Sequence, residues 1–389
     1  MKVSILVSDL SKSGAGRWGG AVRTFLLAQA LKKLNYEVEI LGFVFGDDQP
    51  DLSASGFPVT TLPGRNYPGF IQVARTLLQK IDGDLIYALR PKPTTLGLAL
   101  LKRSRSRRSR ILLDIDDWEL GWHNPYKPNF KQLARDIIKP EGALRYPDHR
   151  LYLQGMEKLA HRADAITVHT HFLRERFGGT YVPNGKDTTR FDPQLYDPQE
   201  TRLRYGLSDY RVLMFPGAPR PYKGIEDVLA ALEQLDQPDL RLAIVGGSPY
   251  DDYDRKLLER WGRWIVKLPT FPVEKMPEIV SAAHIVVVPQ RDTPAAKAQF
   301  PLKLTDGMAM AKPILATRVG DIPEIVADAG VLVDPSCAEQ LAEKIQWIFE
   351  NMETARAMGL KARQRCVEQY SIDTMAAILA GLLQRLHSS

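Results

Sequence analysis

The stretch VLMFPGAPRPYKGIEDVLAAL, residues 212–232, indicates the class of the fold most directly. A continuous apolar run leads into a loop of glycine, proline, Arg220 and Lys223. A segment follows in which apolar residues recur every three to four positions. An apolar run without polar alternation, followed by an amphipathic helix, is typical of a parallel sheet with helices on both faces. The stretch therefore predicts a strand, a loop and a helix of an α/β protein.

The same alternation of strands and helices continues along nearly the whole chain. The first series of predicted strands is VSILVS, EVEILGF, DLIYAL, RILLDID, AITVHT and TYVPN. The second series is VLMFPG, RLAIVGG, WIVKLP, IVVVPQ, PILAT and GVLVD. Helical stretches such as AVRTFLLAQALKKLN and IEDVLAALEQL lie between them. Two such series in a chain of 389 residues predict two doubly wound domains.

The border between the domains is expected between Asn184 and Arg211, a segment rich in Asp, Pro and Gly without a strand period. We predict an N-terminal domain over 1–195 and a C-terminal domain over 205–370. The segment 371–389 is predicted to be an amphipathic helix that Ser371 caps and that packs back on the first domain. Ligands of such sheets bind outside the carboxyl ends of the strands, so two facing domains predict a deep cleft.

Composition excludes several classes of protein. The chain is 44% hydrophobic and 25% charged, as in soluble globular proteins. It contains neither an apolar run near the roughly 20 residues of a membrane span nor an apolar signal region. These features predict a cytoplasmic protein or one peripheral on the inner face of a membrane. Cys337 and Cys366 lack any metal-binding spacing and are expected to be packing residues.

The formal net charge is +6, and much of the excess lies in KRSRSRRSR, residues 102–110. The run fits either a solvated loop or a contact with anionic lipid headgroups. Aromatic platforms and zinc-finger spacings do not occur in the sequence, which argues against a nucleic acid partner.

The loop of the quoted stretch predicts an anion site. Gly217 stands at the strand end, Arg220 and Lys223 follow in the loop, and Gly224 precedes the helix. Two cations beside a helix N-terminus can bind a diphosphate, since point charges and backbone amides act together. The alternative is a pair of solvated cations in a turn.

A second segment, AKAQFPLKLTDGMAMAKPILATRVGDIPEIV (residues 296–326), is expected to complete this site. Free backbone amides around Phe300–Lys303 are predicted to bind the same diphosphate. Asp306, on a short helix, is predicted to accept hydrogen bonds from ribose hydroxyls, as carboxylates do in nucleotide sites.

Gly14-Ala15-Gly16-Arg17-Trp18-Gly19 matches the dinucleotide pattern G-x-G-x-x-G. The pattern requires a tight turn directly after the strand and an acid at the end of the second strand. Here DLSKS intervenes after the strand, and Gly42-Phe43 ends the second one. We expect a loop whose amides cap a helix at Gly20. Gly19 and Gly20 are expected to approach a bound ligand over the cleft.

Six segments, taken in order, resemble the family-4 glycosyltransferases of the GT-B fold. They are the Gly19-Gly20 loop, ADAITVHTHFL, VPNGKDTTRF, PGAPRPYKGIEDVLAAL, AHIVVVPQ and PLKLTDGMAMAKPILATRVGDIPEIV. The resemblance implies two facing Rossmann-like domains and a retaining transfer of a sugar from a nucleotide diphosphate donor to an acceptor hydroxyl. It implies neither an enzymic nucleophile nor a bound cofactor.

The resemblance also assigns roles to single residues. Lys223 resembles the family lysine that neutralises the donor diphosphate, and Asp306 stands where the family has the second Glu of its E-x7-E motif. Ala218 occupies the usual place of an arginine, so Arg220 is the candidate substitute. Ala298 replaces the first Glu of the motif.

The contact of that missing Glu with the donor sugar must then come from Lys297, Gln299 or the amides of residues 298–300. The nucleoside base is expected in the KLPTFP loop, residues 267–272. The donor-binding residues that we predict in this half are Gly217, Leu268, Pro269, Thr270, Ala298, Gln299, Phe300, Pro301, Leu302, Lys303 and Asp306.

In the N-terminal half, Asp114-x-Asp116-Asp117 looks like the metal-binding D-x-D of other glycosyltransferases. A metal is redundant where cations already serve the diphosphate, so we predict none. Asp116 or Asp117 is expected to bind sugar hydroxyls or to orient the acceptor nucleophile. A pair that merely caps a helix is the alternative.

Residues that follow strand ends in this half are predicted to line the acceptor pocket. Two histidines in AITVHTHFL are expected on one strand face, and Arg90 and Lys92 are expected to meet a phosphate. Structural histidines, a core aromatic and a solvated turn remain alternatives. The predicted lining is Arg90, Trp118, His123, His169 and His171.

The resemblance thus implies a hexosyltransferase that uses a UDP-sugar or GDP-mannose, with Gly19 and Gly20 close to that donor, and we expect it to be metal-independent. The acceptor is expected to be a glycan, a glycolipid or a lipid-linked saccharide, with peripheral contact to an anionic membrane. Two alternatives stay open: a degenerate protein that binds nucleotide sugars, and a sugar-nucleotide epimerase or oxidoreductase.

Overall fold

A computed structural model describes residues 1–11, 20–46, 56–106, 109–122, 143–247 and 251–388. The chain divides into two compact units. The first unit contains residues 1–183 and 375–389, and the second contains residues 184–374. Each is an α/β unit built on a parallel sheet, as the sequence predicts.

The first unit carries a seven-stranded sheet in its described residues, with the order β3-β2-β1-β4-β5-β6-β7 and parallel pairings throughout. The strands are β1 Lys2–Val7, β2 Glu37–Val44, β3 Val59–Pro63, β4 Leu85–Leu89, β5 Arg110–Ile115, β6 Ala165–Val168 and β7 Thr180–Tyr181. The helices are α1 Gly20–Lys33, α2 Gly69–Lys80, α3 Leu98–Arg105, α4 Arg150–Lys158 and α5 His171–Phe177.

The second unit carries a six-stranded sheet over the part of it that the structure describes, in the order β10-β9-β8-β11-β12-β13. The strands are β8 Arg211–Pro216, β9 Leu240–Val245, β10 Ile265–Leu268, β11 Ile285–Val288, β12 Ile314–Thr317 and β13 Val331–Val333. The helices are α6 Pro198–Arg204, α7 Ile225–Leu235, α8 Tyr253–Trp261, α9 Met276–Ser281, α10 Pro294–Lys297, α11 Leu302–Ala309, α12 Ile322–Val326, α13 Ala338–Glu350, α14 Met352–Gln369 and α15 Ile372–Ser388. Helix α15 continues into the first unit from residue 375.

The central strands are continuous apolar runs because helices cover both faces of each sheet. Every residue of β4 and β11 is buried. In the second unit, two apolar clusters lie on opposite faces of the sheet, since neighbouring strand residues alternate between them: Val212 and Met214 belong to one, Leu213 and Phe215 to the other. This burial holds the carboxyl ends of the strands in a fixed row.

Strand β3 was missing from the predicted series. The strand has only five residues, VTTLP, of which two are threonines and none is buried. Among the described strands it pairs only with β2, at the edge of the sheet. An edge strand of this kind lacks the apolar run by which the buried strands are found.

The segment that follows β7 belongs to the second unit from Asn184 onward, before the predicted end of the first domain at residue 195. The reason is local. Lys186 donates its backbone N–H to the carbonyl of Tyr370 at 2.6 Å and accepts from the N–H of Ile372 at 3.0 Å. Phe191 is buried in the core of the second unit.

The capping prediction for the last helix is confirmed, since the Ser371 hydroxyl accepts from the Thr374 N–H at 3.2 Å. Among the described residues, no helix combines the length and the apolar composition needed to cross a membrane.

A buried ion pair ties α1 to the centre of the first sheet. The Arg23 guanidinium donates to both carboxylate oxygens of Asp114 on β5, at 2.8 and 3.1 Å, and both side chains are almost inaccessible to solvent. The Thr167 hydroxyl donates to the same carboxylate at 2.7 Å and lies 2.7 Å from the Tyr87 hydroxyl. The pair places the start of α1 against the ends of β4 to β6.

Replacing Arg23 by Met should lower the free energy of unfolding of the first unit by about 3–5 kcal/mol, because the Asp114 carboxylate stays buried without its partner. Hydrogen exchange of the β1 and β5 amides measures this unit alone. Adding Asp114→Leu should recover part of the loss. The matched surface variant Arg103→Met, which breaks an ion pair with Asp164, should cost less than about 1 kcal/mol. Equal losses in the Arg23 and Arg103 variants would contradict this account.

Candidate functional site

The predicted donor-binding residues of the second unit collect at the carboxyl ends of its strands. Strand β8 ends at Pro216 and is followed by Gly217 and the turn Pro221–Lys223, from which α7 begins at Ile225. Gly224 adopts φ 68°, and a side chain there would collide with the carbonyl of Pro289. Only glycine therefore allows the turn to lie this close to the neighbouring strand end.

Three cations surround this strand end. The Lys223 ammonium donates to the carbonyl of Ala218 at 3.0 Å. The stem of Lys303 lies over Gly217, and its ammonium lies 4.8 Å from the centre of the Phe215 ring. Arg220 contacts Asp251 at 3.1 Å. Within the described ranges, neither lysine forms an ion pair with a carboxylate, so positive charge accumulates here.

The electrostatics of the two lysines reflect this accumulation. Burial, with the charges of Lys303 and Arg220, lowers the pKa of Lys223 well below its ordinary value. Burial lowers the pKa of Lys303 to about 8, although Asp306 acts in the opposite direction. An anion bound between these groups would relieve their repulsion and hold both lysines protonated.

The structure corrects the predictions for backbone amides of the neighbouring loop at three positions: Leu302 for the diphosphate, and Ala298 and Gln299 for the donor sugar. The N–H groups of Ala298, Gln299 and Leu302 donate to the carbonyls of Pro294, Ala296 and Phe300, at 3.0, 3.2 and 3.0 Å. The chain turns tightly between α10 and α11, and these turns use the amides themselves.

The side chains of this loop serve different purposes. Ala298 and Phe300 are buried, and Phe300 packs on Tyr370 with ring centres 6.2 Å apart. Gln299 accepts a hydrogen bond from the Tyr222 hydroxyl at 3.1 Å. Gln299 thus connects the loop to the turn that carries Lys223, a link that the sequence did not reveal.

Asp306 lies on α11, one turn after Lys303, and is largely buried. Its carboxylate forms an ion pair with Lys186, a residue that the sequence reading left without a role. The one available signal was a charged residue directly after the turn PNG.

At the predicted base loop, Leu268 is buried, whereas Pro269 and Thr270 are exposed beyond the end of β10. The N–H of Gly246 lies within hydrogen-bonding distance of the Leu268 and Pro269 carbonyls, at 3.1 and 3.2 Å. Lys267 pairs with Asp254 at 2.6 Å. The loop is therefore fixed at its base, with its outer residues accessible.

Two of the residues predicted for the first half, Gly19 and His123, lie outside the described residues. Gly20 begins α1, as the capping prediction requires.

Arg90 is predicted to meet a phosphate, but in the structure carboxylates already bind its guanidinium. Its guanidinium donates to both oxygens of Asp116, at 2.6 and 3.3 Å, and to Glu119 at 2.7 Å. Lys92 contacts Glu119 and Asp148, each at 3.2 Å. Burial opposes ionisation of Glu119, but Lys92 and Arg90 outweigh it and lower its pKa to about 2. The backbone of Arg90 has φ 66°, a conformation uncommon for a residue with a side chain.

Asp117 differs from Asp116 because, among the residues that the structure describes, no cation donates a hydrogen bond to it. It accepts from the Trp118 N–H at 2.8 Å and from the indole N–H of Trp122 at 3.0 Å. Burial, with the charges of Glu119 and Asp116, raises its pKa to about 6, against the effect of Arg90. Asp117 can therefore change protonation near pH 6.

Both histidines follow the end of a strand, as predicted, but they do not share a strand face. Strand β6 ends at Val168, and His169 is buried beyond it. Thr170 caps α5 by accepting from the Leu173 N–H. His171 therefore lies in the helix, where its ring stacks on Tyr181 at 4.4 Å.

Trp118 packs within the unit. Its ring lies 4.3 Å from the Arg176 guanidinium and 6.0 Å from the ring of Phe172. The core alternative describes it better than a free acceptor platform does.

Over the described ranges, no three His, Cys, Asp or Glu side chains are arranged so that they could hold a metal ion. In the D-x-D pattern, Asp114 is held by Arg23 and Asp116 by Arg90.

Part of the second unit matches a known protein family. Residues 199–365 match the family model of glycosyl transferases group 1. Residues 199–365 form a glycosyltransferase group 1 domain. This domain contains β8 to β13 and every candidate residue of the second unit except Lys186.

Relatives match beyond the glycosyltransferase domain. The chain is 28% identical over 325 residues to a GDP-mannose-dependent alpha-(1-6)-phosphatidylinositol monomannoside mannosyltransferase of Mycolicibacterium smegmatis. That match covers 79% of this chain and 78% of the relative. A D-inositol 3-phosphate glycosyltransferase of Segniliparus rotundus is 30% identical over 246 residues, 58% of this chain and 53% of that protein.

Solved glycosyltransferases share the whole fold. HepE of Anabaena, in complex with UDP-glucose, aligns with a TM-score of 0.76 and 20% identity over 99% of this chain and 100% of its own. Sucrose-phosphate synthase of Thermosynechococcus elongatus aligns with a TM-score of 0.75 and 20% identity over 100% and 99%. These matches confirm the predicted fold class, two Rossmann-like domains of the GT-B type.

The raised pKa of Asp117 predicts a pH-dependent stability. The folded chain holds this proton more tightly than the unfolded chain, so stability from Asp117 is greatest near pH 4 and is lost as pH rises through 6. Two pKa units correspond to about 3 kcal/mol. The difference in free energy of unfolding between wild type and Asp117→Asn should change by about 2–3 kcal/mol from pH 4 to pH 7. Parallel curves for the two proteins in urea titrations would contradict the assignment.

Proposed function

We propose that this chain is a retaining family-4 glycosyltransferase that moves a hexose from a nucleotide diphosphate sugar to an acceptor hydroxyl. One observation supports the proposal above the others. Lys223 and Lys303 lie beside Gly217 without a carboxylate partner among the described residues, inside a glycosyltransferase group 1 domain. Such an arrangement suits a diphosphate, whose charge compensates both ammonium groups.

The chemistry follows from that charge. The acceptor oxygen bonds to the anomeric carbon while the bond from that carbon to the diphosphate breaks. The departing diphosphate oxygen takes the acceptor proton. Negative charge therefore grows on the leaving group, and the positive charges of Lys223, Lys303 and Arg220 would stabilise it. Preorganised charge of this kind commonly contributes several kcal/mol to catalysis. We propose that it replaces a divalent metal.

The relatives suggest the donor and the acceptor. The Mycolicibacterium relative is named for GDP-mannose and a phosphatidylinositol mannoside, and HepE was solved with UDP-glucose. GDP-mannose is therefore the first donor to test and a UDP-sugar the second. A glycolipid or lipid-linked saccharide is the acceptor class that we favour over a free glycan.

The C-terminal end of α3 supports a peripheral contact with an anionic membrane. Arg105 is exposed there, and Leu101 presents 42% of its surface. Part of the basic run has structural duties instead: Lys102 donates to the carbonyl of Leu78, and Arg103 pairs with Asp164. Residues 107 and 108 lie outside the described ranges.

A thermal-shift panel of UDP, GDP, ADP and CDP, with and without EDTA, tests the proposal. One nucleotide should stabilise the wild type equally in both conditions, and Lys223→Ala should lose the shift because the diphosphate loses its main counter-charge. A shift abolished by EDTA would contradict metal independence. No shift with any nucleotide would contradict the site.

The matched control is Lys312→Ala. Lys312 is also a partly buried lysine of the second unit, its pKa is lowered to about 8, chiefly by burial, and it donates to a carbonyl, that of Ser281, at 2.5 Å. It precedes β12 rather than following a strand end. This variant should keep the nucleotide shift.

A follow-up assay distinguishes the alternative functions. Release of the nucleotide from its sugar separates a transferase from a degenerate binding protein, and a change of the sugar with the nucleotide still attached would identify an epimerase or oxidoreductase.

A further inference from the structure

Lys186 is held in place by its backbone. It forms a parallel bridge with Ser371, through hydrogen bonds to Tyr370 and Ile372. The preceding Gly185 lies so close to this strand-like segment that a Cβ would be 2.9 Å from the Ser371 carbonyl oxygen. The direction in which the Lys186 side chain leaves the backbone is therefore fixed.

The side chain of Lys186 is not a solvated one. Only 11% of it is exposed, and its ammonium lies 4.4 Å from the centre of the Phe191 ring. The ammonium binds Oδ1 of Asp306, whose side chain is 12% exposed. An ion pair this far out of water is formed at a considerable desolvation cost.

The two carboxylate oxygens of Asp306 differ in their hydrogen bonds. Oδ2 accepts no hydrogen bond from any residue that the structure describes. The carboxylate also attracts Lys303, one helical turn earlier on α11, and so opposes the burial that lowers the pKa of that lysine. Asp306 thus stands between two lysines, one fixed by its backbone and one beside the strand end at Gly217.

The presence of Lys186 determines which of these two lysines forms an ion pair with the Asp306 carboxylate. With Lys186 present, its ammonium binds Oδ1 of Asp306, and Lys303 forms no ion pair with Asp306 among the described residues. Without Lys186, the carboxylate would turn to Lys303, three residues earlier on the same helix. It would then compete with the diphosphate and lose its fixed orientation.

We propose that Lys186 is a positioning residue that aims Oδ2 of Asp306 at the vicinal hydroxyls of a ribose and so makes the site selective for ribonucleoside diphosphates. The inference rests on the proposed function, because it places the nucleoside of the donor beside α11. A carboxylate that is anchored by one oxygen and free at the other is well suited to accept from such hydroxyls.

The test compares a nucleoside diphosphate with its 2′,3′-dideoxy analogue by titration calorimetry on the full chain, using the base selected by the thermal-shift panel. The wild type should bind the ribonucleotide at least about tenfold more tightly, as expected when hydrogen bonds to a charged group are lost. In Lys186→Met the two affinities should agree within about twofold. Lys186→Arg, which keeps the charge, should retain most of the preference.

Lys275→Met is the control, since it removes another ion pair of the second unit, with Glu278 at 3.1 Å. It should leave the preference unchanged. A merely structural Lys186 would lower the thermal stability of Lys186→Met and leave the preference intact, which would overturn the inference, as would a wild type without preference. Failure of the wild type to bind any nucleoside diphosphate would instead overturn the proposed function.

Discussion

The repulsion between lysines at the end of β8 is the constraint on which the site depends. Lys223 and Lys303 lie partly buried near Gly217 and Phe215 without carboxylate partners within the described ranges. A protein that needed only stability would place an acid there or keep the lysines in water. The packed sheet and the turn at Gly224 hold the charges together, and an anion bound between them would relieve their repulsion.

In the first unit, by contrast, the buried charges described next are paired with charges of opposite sign. Arg23 meets Asp114, and Arg90 meets Asp116, each through two hydrogen bonds. These paired charges fix elements in place and leave no excess for an anion. Asp117 is the exception among the acids at this strand end, because burial outweighs Arg90 and raises its pKa to about 6. The division fits a donor site in the second unit.

The sequence was sufficient for the fold because buried parallel strands are long apolar runs, and the strands of the second series all occur as predicted. It failed at β3, where an edge strand carries no such run. The sequence also located the turn with Arg220 and Lys223, since this pattern consists of cations and glycines that are neighbours along the chain after a predicted strand.

Partners that are distant in sequence could not be predicted. Arg90 is taken up by Asp116, and Asp306 by Lys186, across separations of 26 and 120 residues. The Leu302 amide is among those predicted to be free for the diphosphate, and the Ala298 and Gln299 amides are among those considered for the donor sugar, but tight turns use all three. Only the three-dimensional structure shows which polar groups already have partners.

The most direct test of the account follows the sugar itself. Proton NMR during slow donor hydrolysis, with GDP-mannose and then UDP-glucose in the presence of EDTA, reports the anomer that is released first. The account predicts that the α-anomer appears first from an α-linked donor and that Lys223→Ala releases almost none. Initial release of the β-anomer, or release by Lys223→Ala at the wild-type rate, would contradict it.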